Sequence, residues 1–221
     1  SERPTTTLFG FSFLRPGQRR GRRETPCERL NSAGVVRSDV TTTETATLGG
    51  GCFWCVEAAF KQLDGVESVE SGYTGGYVED PSYEAVCREE TGHAEAVQVT
   101  YDPEVIDYAE LLRVFFTIHN PTTRNREGPD VGEQYRSAIY YHDDGQRELT
   151  ESFVAELEAE GAYDGIVTEI EPLEAWYVAE EYHQDYYEKN PNDRYCQFNA
   201  DPKIQKVREK FGEQLVQSAD D

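Results

Sequence analysis

Two cysteines three positions apart, Cys52 and Cys55, enclose the aromatic pair Phe53-Trp54 and follow Gly50-Gly51. Ahead of them Ala46-Thr47-Leu48 reads as a short strand. Behind them Val56, Ala59, Phe60 and Leu63 recur at helical spacing and stop at Gly65, a C-cap residue. Cys52 therefore falls where a strand turns into the first turn of a helix. Unpaired backbone N–H groups and the positive end of the helix dipole collect there and favour an anion, which predicts a Cys52 biased toward the nucleophilic thiolate. Taken alone, a CxxC at a helix start has three readings: a dithiol redox pair, half of a zinc site, or two core thiols. Zinc needs further ligands at short spacing. Cys87 and His93 are six apart, and no second CxxC or HxxxH accompanies them. The core reading suits Cys55, one turn into the helix, better than Cys52.

Large aromatics such as Phe53 and Trp54 usually belong to a core. At a helix mouth beside glycines they can instead wall a cleft next to the nucleophile and hold a small methyl-bearing substrate. Glu95 offers the complementary chemistry. The stretch His93 to Tyr101 alternates as a strand, with Val97, Val99 and Tyr101 on its apolar face and Glu95 on the same face. A carboxyl group placed there is desolvated, its pKa rises, and it keeps a proton to donate at neutral pH. If the strand begins only after it, Glu95 is simply solvated.

The elements that must position these groups follow in order. Val66 to Tyr73 reads as a strand ending in the loop Gly72-Tyr73-Thr74-Gly75-Gly76-Tyr77, and Ser82 caps a short helix to Glu89. Asp107 and Glu110 form a capping-box pattern before Leu111, Leu112, Phe115 and Ile118, so a helix runs to His119. Residues 121–135 read as a long loop without structure of its own. Such loops are usually functional or disordered. Ser137 to Tyr141 is a strand, Gln146 to Glu160 a helix turning Leu149, Phe153 and Leu157 inward, and Ile166 to Ile170 a further strand. Strand-helix-strand twice over predicts an α+β fold, a two-layer ferredoxin-like sandwich. Beyond it comes a mostly irregular C-terminal extension. Residues 180–189 and 201–211 are helical in it, Pro202 lies in the first turn of the second helix, and Cys196 sits on a mobile, turn-rich stretch between them.

The chain has 221 residues and 37% hydrophobic content, enough for one substantial core. Its formal net charge of −22 argues against nucleic acid as a partner, because a phosphate backbone would be repelled over most of the surface. Asp and Glu are abundant and lysine occurs only five times, a balance similar to that of proteins from high-salt cytoplasm. No run of about 18 apolar residues suggests a membrane-spanning helix. Five cysteines, an odd number in a chain this long, favour a reducing compartment, and a cytoplasmic location is expected. Residues 1–40 differ from the rest. They carry eight arginines against four acidic residues, and Pro4, Pro16 and Pro26 break any periodicity. Arg19-Arg20 has the look of a twin-arginine export signal, but no apolar stretch follows it. This part is expected to be a disordered basic tail with Cys27 a bystander, and residues 41–221 to form the catalytic domain.

Six motifs carry a resemblance over residues 46–211. Gly51-Cys52-Phe53-Trp54, Gly72-Tyr73-Thr74-Gly75-Gly76, Pro81-Ser82-Tyr83, Thr91-Gly92-His93-Ala94-Glu95, the run Asp130 to Ser137 and Tyr182-His183-Gln184 stand in the order found in peptide methionine sulfoxide reductases of the A type. The resemblance implies thiol-dependent reduction of methionine-S-sulfoxide, free or in oxidised proteins. The residue matching Cys52 attacks sulfur and that matching Glu95 delivers the proton, leaving Cys52 as sulfenic acid. The matches to Tyr83 and Tyr135 hydrogen-bond the sulfoxide oxygen, those to Phe53 and Trp54 hold the methyl group, and Asp130 lies in the same pocket. Cys196 matches the position from which many members supply a resolving cysteine and is favoured for that role. Cys55, a departure from the commoner glycine, is the alternative, and Cys87 is read as structural. The resemblance implies no bound cofactor or metal, a thioredoxin-like electron donor for which dithiothreitol can substitute, and a monomer. The other enzymatic reading is a general thiol–disulfide oxidoreductase built on Cys52 and Cys55.

Overall fold

The computed structural model describes residues 42–216. The basic tail expected at residues 1–40, with Arg19-Arg20 and Cys27, lies outside the described residues. The sequence folds as β1 (Glu44–Gly50), α1 (Phe53–Phe60), β2 (Val66–Thr74), α2 (Tyr83–Cys87), β3 (Ala94–Tyr101) and α3 (Tyr108–Ile118). It continues as β4 (Arg126–Glu127), β5 (Asp130–Val131), β6 (Ser137–Tyr141), α4 (Asp144–Ala159), β7 (Glu169–Pro172), β8 (Tyr177–Val178), α5 (Tyr186–Lys189) and α6 (Arg194–Lys210). The main sheet runs β7-β6-β1-β3-β2-β8. β1 is antiparallel to both β3 and β6, and β2 is antiparallel to β3. Thus β1-α1-β2 steps over β3 and β3-α3-β6 steps over β1. These interlocked crossovers are the ferredoxin-like arrangement within an α+β fold. β7 joins one edge parallel to β6, and β8 joins the other antiparallel to β2.

The alternation read from β3 decides which way its side chains face. Val97, Val99 and Tyr101 join Leu48, Val56, Phe60, Leu111 and Phe115 in the main core between sheet and helices. Ala94 and Ala96 join Ala138 and Tyr140 on the opposite face, under Leu173 and Trp176. Each fully buried aliphatic or aromatic side chain of that core contributes about 1.5–3 kcal/mol, so the β3 register is strongly fixed. Slipping it by one residue would turn Glu95 out of the helix layer. The capping box at Asp107 and Glu110 forms as read, with Asp107 Oδ1 accepting the Glu110 amide at 2.8 Å. Ser82 likewise caps α2. The turn into α1 needs a glycine at position 51, where φ is +90° and an added Cβ would meet the Glu127 side chain at 2.5 Å.

Several expectations are corrected. Residues 121–135 are not structureless, because β4 and β5 pair there as a small hairpin and Glu133–Tyr135 form a 3-10 turn. Leu149 is exposed, since α4 turns Gln146 and Thr150 inward, where Gln146 donates to the Thr45 carbonyl and Thr150 meets the Tyr108 hydroxyl. The helix expected over 180–189 is two short turns broken at Asp185, whose φ is +55°. The C-terminal extension is irregular only as far as this region. Asp193 then accepts the amides of Tyr195 and Cys196, so α6 begins at Arg194 and runs through Pro202, which leaves the Phe198 carbonyl without its amide partner. Cys196 is therefore in the first turn of a helix and 1% exposed, not on mobile chain.

Candidate active site

Cys52 is the N-cap of α1, and the first free amide of that helix serves an acid. The Phe53 amide donates to Glu95 Oε2 at 3.1 Å. The Trp54 amide lies near the Cys52 sulfur and favours its anion. β3 supplies Glu95 from the sheet and α1 supplies the sulfur from the helix, and both are buried, Glu95 to 1% exposure.

Burial dominates the protonation of both. It pushes Glu95 well above the usual carboxylate range, and the neighbouring Cys52 charge pushes the same way against the Phe53 amide. Burial thus biases Glu95 toward its protonated form. Burial also pushes Cys52 well above the ordinary thiol value, and a hydrogen bond to Cys55 and the Cys55 charge add to it. This corrects the expected thiolate. The helix terminus is present, but desolvation and a second thiol outweigh the Trp54 amide and the Tyr195 hydroxyl that favour the anion.

Around this pair stands an aromatic wall. Phe53 is buried against Tyr73 and His183. Trp54 stacks on Tyr186, ring centroids 3.7 Å apart and 8° from parallel, and its Nε1–H donates to His183 Nδ1 at 3.1 Å. That bond needs an unprotonated Nδ1, and burial lowers the His183 pKa accordingly. Tyr83 packs on His183 at 4.3 Å and is anchored through its amide to Glu180 at 3.1 Å. Tyr135 reaches the site from the 3-10 turn. Burial raises both tyrosine pKa values, with Glu95 contributing in each case, so both hydroxyls keep their protons.

Asp130 approaches from β5, and its Oδ2 is 2.5 Å from the Tyr195 hydroxyl. Burial raises its pKa. Tyr195 also lies beside the Cys52 sulfur, where its hydroxyl favours the anion, and meets Trp54 edge-on, centroids 6.0 Å apart. Sequence reasoning missed Tyr195 as a site residue, and its only mark was its place beside Cys196. His183 and Tyr186 were likewise given no role, although His183 stands in a quoted motif. Cys87 was read as structural. It is exposed instead, and its thiol lies beside the Tyr83 hydroxyl, whose pKa it raises.

The arrangement offers a sulfur nucleophile, a protonated carboxyl group, proton-bearing phenols and an apolar wall at one helix mouth. A family model for peptide methionine sulfoxide reductase matches residues 44–215. The chain belongs to the peptide methionine sulfoxide reductase family. The family is one of oxidoreductases, and its members bracket this chain closely. A peptide methionine sulfoxide reductase MsrA of Natronomonas pharaonis is 64% identical over 174 residues, covering 78% of this chain and 98% of that protein. The MsrA of Halobacterium salinarum is 61% identical over 171 residues, covering 77% and 97%. Among solved structures, reduced Mxr1 of Saccharomyces cerevisiae aligns with a TM-score of 0.67 at 37% identity, covering 73% of this chain and 93% of that one. The residues 44–215 matched by the family model include Cys52, Glu95 and the aromatic wall. Among the described residues no group of three or more His, Cys, Asp or Glu converges to hold a metal, and no helix is long and apolar enough to cross a membrane.

Proposed function

We propose that the chain reduces methionine-S-sulfoxide, free or in oxidised proteins, with Cys52 as nucleophile and Glu95 as acid. The Cys52 sulfur attacks the sulfoxide sulfur while Glu95 gives its proton to the oxygen. Tyr83 and Tyr135 donate to that oxygen as charge develops on it. Phe53 and Trp54 hold the methyl group, and Asp130 closes the pocket. The protonated oxygen then passes from the substrate sulfur to Cys52 as the new sulfur–sulfur bond breaks, so methionine leaves, Cys52 is left as sulfenic acid, and the thiol proton of Cys52 restores Glu95. The observation that carries this reading is the shared helix mouth, where the buried Glu95 carboxyl accepts the first amide of the helix that Cys52 caps.

Cys55 is assigned as the first resolving thiol. It stands one turn on in the same helix, its amide donating to the Cys52 carbonyl at 3.1 Å, so its attack on the sulfenic sulfur, expelling water, needs no other element to move. Cys196, the residue favoured by the resemblance, takes a second place in relay, because its engagement requires the capped first turn of α6 to open. The resulting disulfide is opened by a thioredoxin-like donor. Residues 41–221 are assigned as the catalytic domain, acting as a monomer in the cytoplasm. Turnover of the S and R epimers of methionine sulfoxide with dithiothreitol, beside insulin disulfide reduction, tests the assignment. Reduction of the S epimer alone is expected. Insulin reduction without sulfoxide turnover would favour the general thiol–disulfide oxidoreductase.

A further inference from the structure

The two buried thiols also line a cavity that Phe53, Trp54 and Glu95 do not line. It holds about 160 Å³ between α6 and the β4–β5 hairpin, with Phe198, Lys203 and Lys206 on one side and the carboxylates Glu127 and Asp130 on the other, Glu127 paired with Lys203 and Asp130 with Tyr195. Phe198 is 76% exposed, an unusual place for a phenylalanine, and it projects from α6 beside a redox dithiol. The charge of this helix is also out of character with the chain. α6 carries Arg194, Lys203, Lys206, Arg208 and Lys210 against Asp201 and Glu209, a net of +3, in a protein whose net charge is −22. It holds three of the five lysines. Lys203 is committed to Glu127 at 2.7 Å and to the Ile118 carbonyl, whereas Lys206 is exposed at the rim. An acidic protein is repelled by most of this surface and is received here.

The geometry points to the Phe198–Lys206 face of α6 as the seat of the electron donor, an acidic thioredoxin-like protein that presents a surface dithiol. The inference rests on the proposed Cys52–Cys55 disulfide and adds where and by what it is opened. The donor's thiolate attacks Cys55 Sγ through the cavity, the bond to Cys52 breaks, and Cys52 leaves with the electron pair and takes up a proton. The donor's second thiol, losing its own proton, displaces Cys55. Two electrons have then passed to the dithiol, and the donor carries the disulfide. Phe198 supplies the apolar anchor and Lys206 the charge complementarity, while the sulfoxide methyl group is held by Phe53 and Trp54, which do not line this cavity.

The test compares two donors on the full chain. Phe198→Ser and Lys206→Glu, both at exposed positions, are assayed with an acidic thioredoxin, its reductase and NADPH, and separately with dithiothreitol. Each substitution is expected to raise KM for thioredoxin about tenfold while dithiothreitol-supported turnover stays within about twofold of the unmodified chain. Unchanged thioredoxin kinetics in both variants would overturn the seat, and so would equal losses with both donors. Mass mapping of the unmodified chain after one sulfoxide equivalent checks the footing separately. Absence of a Cys52–Cys55 disulfide would remove the resolving assignment and the seat with it, whereas its presence with unchanged variants removes the seat alone.

Discussion

Glu95 Oε2 accepts the Phe53 amide at 3.1 Å at the N-terminus of the helix that Cys52 caps, so the acid and the nucleophile share one helix mouth. One helix terminus therefore serves an acid and a nucleophile together, and the two cannot both ionise without mutual repulsion. Replacing Glu95 by Gln keeps the acceptor for the Phe53 amide and removes the transferable proton. Single-turnover reduction of sulfoxide is expected to slow by about two to four orders of magnitude, the usual worth of a positioned acid. An enzyme of unchanged rate would refute the acid role.

The same substitution has an opposite effect on stability. Glu95 has a folded pKa raised by burial, so between its unfolded and folded values the native state binds more protons than the unfolded state, and stability falls as pH rises through that window. Glu95→Gln removes this loss. Its Tm is expected to exceed that of the unmodified protein at neutral pH, with the gain disappearing below the unfolded carboxylate pKa near 4. Thermal unfolding at pH 3.5 and pH 7 reads the difference, and a Tm lowered at pH 7 would contradict it.

These two groups also show what the sequence made legible. Glu95 could be found because strand alternation is a two-residue rule, and Val97, Val99 and Tyr101 already marked the buried face. The interlocked crossovers followed from the order of elements for the same reason. The state of Cys52 could not be found that way. Helix position is local and visible, but the burial that raises its pKa comes from α6 and the β4–β5 hairpin folding over it, contacts distant in sequence. α6 itself was misread because Pro202 suggested a helix start, while the actual cap, Asp193, lay in a run of turn-forming residues. Tyr195 and His183 were invisible as site residues because their roles depend on reaching Asp130 and Trp54 across the chain.

His183 holds Trp54 by a neutral ring nitrogen, so its role depends on an acceptor at Nδ1. His183→Leu removes the acceptor and is expected to raise KM for sulfoxide about tenfold, since the indole is no longer fixed against Tyr186. His183→Gln, whose side-chain oxygen can accept from the indole, should recover most of that loss. Equal effects of the two substitutions would show that packing, not the hydrogen bond, sets the wall.

Tyr195 has a single hydroxyl proton, which it donates to Asp130, and the Cys52 sulfur beside it is the competing acceptor. While Asp130 is ionised it takes that proton and leaves the sulfur without this donor. Burial raises the Asp130 pKa, and a protonated Asp130 can donate to the tyrosine oxygen and release the hydroxyl toward sulfur. Substitutions at the two ends of this chain should therefore act in opposite directions. Tyr195→Phe removes a group that favours the Cys52 anion, so iodoacetamide alkylation of Cys52 at a fixed pH should slow and its pH midpoint move up. Asp130→Asn removes a nearby negative charge and leaves an amide able to donate to the tyrosine oxygen. The midpoint should move down, and it should do so less when Tyr195 is also Phe. Shifts of the same sign in both single variants would mean that Tyr195 does not connect Asp130 to the sulfur.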